Sequence, residues 1–299
     1  PTRIIGTNSI YNLATAADSS GNLYVAYKQF EGEYFALYVQ KYINCSGSAS
    51  LVGSSYIDMT STASDKIAIA VNNSGEIFIA YLSDNTTLKV KKFTAGAWYD
   101  ITANIFSYGS VYSNYLDLDV DSQGNPYIAF QDSSKSNKAT VKKYVTEEWF
   151  TQGTGSDSAV SATSGGEVSF LDLKICGDTI FLAFADSGDA NKPNVMQYTQ
   201  SGWTRVGSSS AYSAAVSSIS LTTYYGKPYI AFIDSSASYS ATVRHYNGSS
   251  WVTLGSAGIT NSDLTLPPVL VINTSGIPFL GYRNGASSNL GNVKKYISY

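Results

Sequence analysis

Apolar and polar residues alternate along this chain in short runs, and no window shows the 3.6-residue spacing of an amphipathic helix. Runs such as "KIAIAV", "FIAY" and "LKVKKF" are closed off by clusters of Gly, Ser, Asn and Asp, the pattern of short β-strands joined by turns. Aligned on itself, the chain yields six copies of one unit: "DSSGNLYVAYKQ", "NNSGEIFIAYLSD", "DSQGNPYIAFQD", "KICGDTIFLAFAD", "TYYGKPYIAFID" and "NTSGIPFLGYRN". Their turn glycines, Gly21, Gly75, Gly124, Gly177, Gly226 and Gly276, recur every 49 to 54 residues.

Each copy predicts four strands. One precedes the turn ("YLDLDV"), an aromatic-rich one follows it ("YIAF"), a third is basic and ends in an aromatic ("ATVKKY"), and a fourth reads like "WTRVGSS". Four strands per unit, six times over, specify an all-β, six-bladed β-propeller with four antiparallel strands per blade. The last copy stops at "NVKKYISY", while "PTRIIGTNS" at the other end matches "GWTRVGSSS". The N-terminal strand Thr2 to Gly6 is therefore expected to complete the last blade, close the ring and remove its exposed edge. One domain, 1–299, is expected, with blades at about 8–55, 56–106, 107–156, 157–210, 211–259, and 260–299 plus 1–7.

The run "YLDLDVDSQGNPYIAFQD" carries three alternating aspartates, Asp117, Asp119 and Asp121, ahead of Gly124. A calcium loop of the EF-hand kind places its Gly directly after the third acidic position and ends in Glu. Here Gly124 comes three places after Asp121, and the twelfth residue of the loop, Ile128, is apolar. Position 121 recurs as Asp18, Asn72 and Asn273, each just before a Gly, which predicts a hairpin turn capped by an Asx side chain.

Composition narrows the function classes. Of 299 residues 14% are charged, with 19 basic and 22 acidic, and no basic stripe offers a grip on nucleic acid. No apolar run is long enough for a membrane-spanning helix. The opening "PTRIIGTNSIYN" has no signal-peptide pattern, so a cytosolic chain or a mature secreted one is expected. With 24 Tyr, abundant small hydroxyl residues and a single His, the surface suits polar ligands. Cys45 and Cys176 have no metal-binding spacing and fall in opposite blades of the predicted ring, so both are expected to be free. Sequons at Asn44, Asn72, Asn85, Asn247 and Asn273 are as frequent as chance allows in such a chain.

The "G-x-x-Y-[IV]-A-[YF]-x-D" blades resemble those of six-bladed propellers of a secreted bacterial kind, with NHL-type and sialidase-type propellers as named relatives. The sialidase Asp-box and the kelch double glycine are absent, so the resemblance implies architecture and no catalytic residue.

Candidate chemistry sits at repeated positions. His245 takes the place of a strand lysine, which disfavours His triads and multi-His zinc sites. Asp117, Asp119 and Asp172 lie on first strands of blades 3 and 4. They are read either as a buried network with Lys174 and hydroxyls, or as a weak candidate site for an ion or ligand near the central channel. No catalytic residue, cofactor or firm metal site is expected. The second strands end in Gln29, Ser83, Asp132, Asp186, Asp234 and Asn284, which serve either as turn starters or as a ring of ligand contacts. Trp98, Trp149, Trp203 and Trp251 open the fourth strands and are expected to pack on the blade or to stack on sugar rings. The lysine pairs Lys91/Lys92, Lys142/Lys143 and Lys294/Lys295 are expected to lay their stems over aromatics. The leading expectation is an extracellular, non-catalytic recognition domain that binds a glycan or surface polymer through repeated weak sites, with Asp132, Asp186, Asp234, Asn284 and the four Trp as contacts. A filament or surface-layer subunit that binds copies of itself is the alternative, and a glycan-active hydrolase or lyase the third.

Overall fold

A blade's second strand is buried on both sides, which is why its sequence runs apolar without a break. In the computed structural model Ile77–Leu82 is buried throughout. Its side chains nevertheless divide with period 2. Ile77, Ile79 and Tyr81 join the core shared with blade 1, and Phe78, Ala80 and Leu82 join the core shared with blade 3. The repeated small residue is thus explained: Ala26, Ala80, Ala183 and Ala231 are fully buried on the face turned to the next blade.

The chain is an all-β, six-bladed β-propeller. The structure describes residues 9–45, 49–53, 55–61, 66–84, 87–103, 105, 115–153, 159–162, 165–260, 264, 266–283 and 291–297. The expected closing strand Thr2 to Gly6 lies outside the described residues, as do Asn85, Asn284 and the side chain of Cys45. Cys176 is free and half-buried.

Contacts divide the chain into two compact units, 1–152 and 153–299. The first holds three blades. Their strands are Ile10–Ala17, Leu23–Phe30, Phe35–Tyr42 and Ala49–Leu51; then Ile67–Val71, Ile77–Leu82, Leu88–Thr94 and Ala97–Asp100; then Leu116–Val120, Pro126–Asp132, Lys138–Val145 and Glu148–Thr151. A short extra strand, Asp58–Thr60, pairs with Phe35–Tyr42. In the second unit, blade 4 is Val168–Cys176, Thr179–Asp186, Lys192–Thr199 and Gly202–Arg205, and blade 5 is Val216–Tyr224, Lys227–Asp234, Ser240–Tyr246 and Trp251–Thr253. Blade 6 contributes Val269–Ile272, Pro278–Arg283 and Gly291–Lys295. Consecutive strands of every blade pair antiparallel, in one register from copy to copy: Asp117 faces Ala129, Asp172 faces Ala183, and Ser220 faces Ala231.

The run at Asp121 is a hairpin turn. Asp121 accepts from the backbone N–H groups of Gln123 at 3.0 Å and Asn125 at 2.8 Å, and Gly124 takes φ 86°, a left-handed value that suits glycine. Asn72 and Asn273 cap their own turns in the same way.

Candidate functional site

The aspartates that end second strands are the caps of short turns. Asp132 accepts from the backbone N–H and hydroxyl of Ser134 and from Thr140 Oγ1 at 2.9 Å. Asp234 repeats this set with Ser236 and Thr242 and is fully buried. Asp186, also fully buried, accepts from the N–H of Gly188 and from Ser161 Oγ and the Ala162 N–H. Each chain then turns through two left-handed residues, such as Ser136 and Asn137. Each carboxylate holds donors of its own turn, and Asp186 also holds two from the connection that precedes its blade; a buried acceptor requires such partners.

The tryptophans repeat as faithfully. Rings of Phe93–Trp98, Tyr144–Trp149, Tyr198–Trp203 and Tyr246–Trp251 pack tilted, with centroids 5.1 to 5.6 Å apart. Three of the indole N–H groups reach back to a carbonyl of the preceding blade: Trp98 to Val52 at 3.1 Å, Trp149 to Ile101 at 2.7 Å and Trp251 to Val206 at 3.0 Å. Gly53 and Gly207 make room for two of them, since a Cβ at either would stand 3.1 to 3.4 Å from the indole. The tryptophans thus act as pegs in sockets of the blade before.

Asp117 and Asp119 are half-buried on Leu116–Val120. Asp172 accepts from the Leu221 N–H at 2.9 Å, linking the first strands of blades 4 and 5. Ser220, at the same repeat position, accepts from the Leu270 N–H at 3.0 Å and links blades 5 and 6.

The basic pairs on third strands divide their work. Lys91, Arg244 and Lys294 donate to the carbonyls of Ile57, Ala211 and Ile259, tying down the connection that enters from the preceding blade. The next residue lies over the aromatic of the second strand: Lys41 on Tyr24, Lys92 on Phe78, Lys143 on Tyr127 and Lys295 on Phe279, at 5.1 to 6.0 Å. His245 takes this place in blade 5 and stacks on Tyr229. Burial pushes its imidazole pKa down, and Lys227 and Arg244 push it further the same way.

At two of these positions the cation is neutralised. Lys92 pairs with Glu76 at 2.6 Å, and Lys143 with Asp121 at 2.9 Å. Burial pushes the Asp121 carboxyl up, but its bonds from Asn125 and Lys143 outweigh that and hold it below the ordinary value.

Two cavities open where blade 6 meets blade 5. One, about 150 Å³, is lined by apolar side chains of Val243, Leu254, Ile259, Leu270, Pro278 and Leu280, together with Gly255, Lys294, Lys295 and Tyr296. Leu254–Gly255 matches the Val52–Gly53 and Val206–Gly207 sockets. Here Tyr296 stands over the glycine, and no described residue supplies the indole that fills the others. The second cavity, about 280 Å³, adjoins it through Leu254, Pro278, Lys295 and Tyr296 and is bordered by Tyr229, Ser275 and Gly276. Among the described residues neither lining contains a carboxylate. Sequence reasoning placed the aromatics and lysines but not the cavities, whose signal was the blade 6 segment lacking a Trp.

No protein-family model matches the chain, and no curated protein matches it in sequence. Solved structures do share its fold. A fungal lectin from Aleuria aurantia, described as a six-bladed β-propeller with a novel fucose recognition mode, superposes with a TM-score of 0.65 at 15% identity, over 99% of this chain and 94% of that one. The SapL1 lectin in complex with α-methyl fucoside gives 0.63 at 14% identity, over 97% and 93%. The Trypanosoma rangeli sialidase in complex with the inhibitor DANA gives 0.60 at 9% identity, over 96% of this chain and 54% of that one. At these identities the likeness is one of fold.

Proposed function

We propose that this protein is a non-catalytic, extracellular recognition domain that binds carbohydrate. The observation that carries the reading is the pair of joined cavities at the junction of blades 5 and 6, one apolar and one lined by Tyr229, Tyr296, Ser275 and Lys295. Apolar ring faces beside a few directed polar groups are what a sugar ring presents its two sides to. Volumes of about 150 and 280 Å³ suit a single ring better than a long oligosaccharide. Lectins of the same fold that recognise fucose support the reading. Binding is favoured over hydrolysis because glycosidases need two facing carboxyl groups, and the described residues of neither lining offer one. The test is a glycan-array screen of the folded chain. Retention of a defined set of glycans, reversed by a free monosaccharide, is expected; a folded chain that retains none overturns the proposal.

A further inference from the structure

The lysine of blade 6 differs from those of blades 2 and 3 in charge compensation and resembles Lys41 of blade 1, which also has no carboxylate partner among the described residues. In blades 2 and 3 the lysine laid over the second-strand aromatic is paired with Glu76 or Asp121. Lys295 occupies the same register position, opposite Phe279 as Lys143 is opposite Tyr127. The places of Glu76 and Asp121 are taken there by the neutral Ile277 and Asn273, each four residues apart as in the charged pair. No carboxylate stands within ion-pair distance of Lys295 among the described residues. Lys295 lines the larger cavity, and its ammonium lies over the Phe279 ring at 6.0 Å. His245 stacks on Tyr229, which also lines this cavity, and Lys227 donates to the Asn247 carbonyl. Among the described residues the lining thus carries one cation, Lys295, and no acidic group.

A second feature faces the same turn. Tyr225 is 84% exposed and holds a left-handed backbone, φ 47°, an uncommon state for an aromatic residue. The two-residue hairpin turn Tyr225–Gly226 accounts for this value, since a turn of that kind takes positive φ at both central positions. Its ring packs edge-on against Tyr224 at 4.4 Å. Tyr224 in turn presses so closely on Gly276, a wall of the cavity, that a Cβ there would stand 2.7 Å from its ring. At the junction of blades 2 and 3 the corresponding neighbour of Gly124 is the small Asn72.

We infer that the site takes an acidic sugar: a single ring bearing a carboxylate, held through its carboxylate by Lys295 and through its apolar face by Tyr229 and Tyr296, the aromatics that line the cavity. This deepens the carbohydrate reading above and rests on it. An uncompensated ammonium beside aromatic walls favours a carboxylate over a hydroxymethyl group, because charge-assisted hydrogen bonds exceed neutral ones.

Titration calorimetry with D-glucuronate, its neutral methyl ester and D-glucose tests the inference, since the three share one ring. Glucuronate is expected to bind about tenfold more tightly than either neutral sugar, as one charge-assisted bond would give. Lys295→Gln, at an exposed position, should bring the three to parity. Ile277→Glu should do the same with Lys295 still present, by recreating the Glu76–Lys92 pair. Lys143→Gln, which removes a lysine already paired, should leave the preference intact. If the neutral sugars bind as well as glucuronate, the acidic-sugar inference falls and the carbohydrate reading stands. If no sugar binds and the glycan array is also blank, the carbohydrate reading itself falls. A loss of preference in Lys143→Gln equal to that in Lys295→Gln would assign the effect to overall charge and overturn the role of Lys295.

Discussion

Asp234 shows how a polar residue at a strand end serves the turn that follows it. Its two oxygens hold the Ser236 N–H, the Ser236 hydroxyl and Thr242 Oγ1, and none of its surface reaches solvent. Asp234→Ala would strand those donors in a buried place, so a loss of about 2–4 kcal/mol is expected in urea unfolding. A loss within about 0.5 kcal/mol would show that water substitutes for the carboxylate. Asp121 adds a pH dependence. Its folded pKa lies below the ordinary 3.8, so its ionised form stabilises the fold above that value, and the contribution is lost as pH falls through the lower folded value. The stability gap between the wild type and Asp121→Asn should therefore narrow below pH 3.8, and a gap that stays constant into acid would contradict the account.

Among elements, the sequence was most legible where a position repeats. Asx-Gly turns, basic third strands lying on aromatics, and the Ala of the second strands in blades 1 to 5 all follow from period-2 burial seen in several copies. The role of tryptophan was less legible, because opening a strand does not reveal that the indole pegs into the blade before it. Trp149 is buried and donates to the Ile101 carbonyl across the blade 2–3 junction. Trp149→Ala is expected to cost about 3–5 kcal/mol, since it both leaves a cavity and frees a buried carbonyl. Calorimetric melting of the variant checks this; an unchanged midpoint would mean that the peg contributes no stability. The aspartates were legible as a repeated polar position, but whether they are buried caps depends on the following Ser and Thr, which only the folded turn brings to them.

For the whole molecule, six similar blades do not imply six similar surfaces. Repetition fills the Leu254–Gly255 type of socket with an indole at three junctions, and it neutralises the surface lysine in blades 2 and 3. Blade 6 departs from those junctions on both counts: among the described residues none brings an indole to the Leu254–Gly255 socket and none brings a carboxylate to Lys295. The proposed binding site arises from these departures, which a search for the shared pattern passes over. The most direct measurement is a crystal structure of the chain soaked with the glycan that the array retains best. The account predicts density for one sugar ring against Tyr229 and Tyr296, with a polar group of the ligand within hydrogen-bond distance of Lys295 Nζ. A ring bound elsewhere, with the cavities at this junction left to solvent, would contradict it.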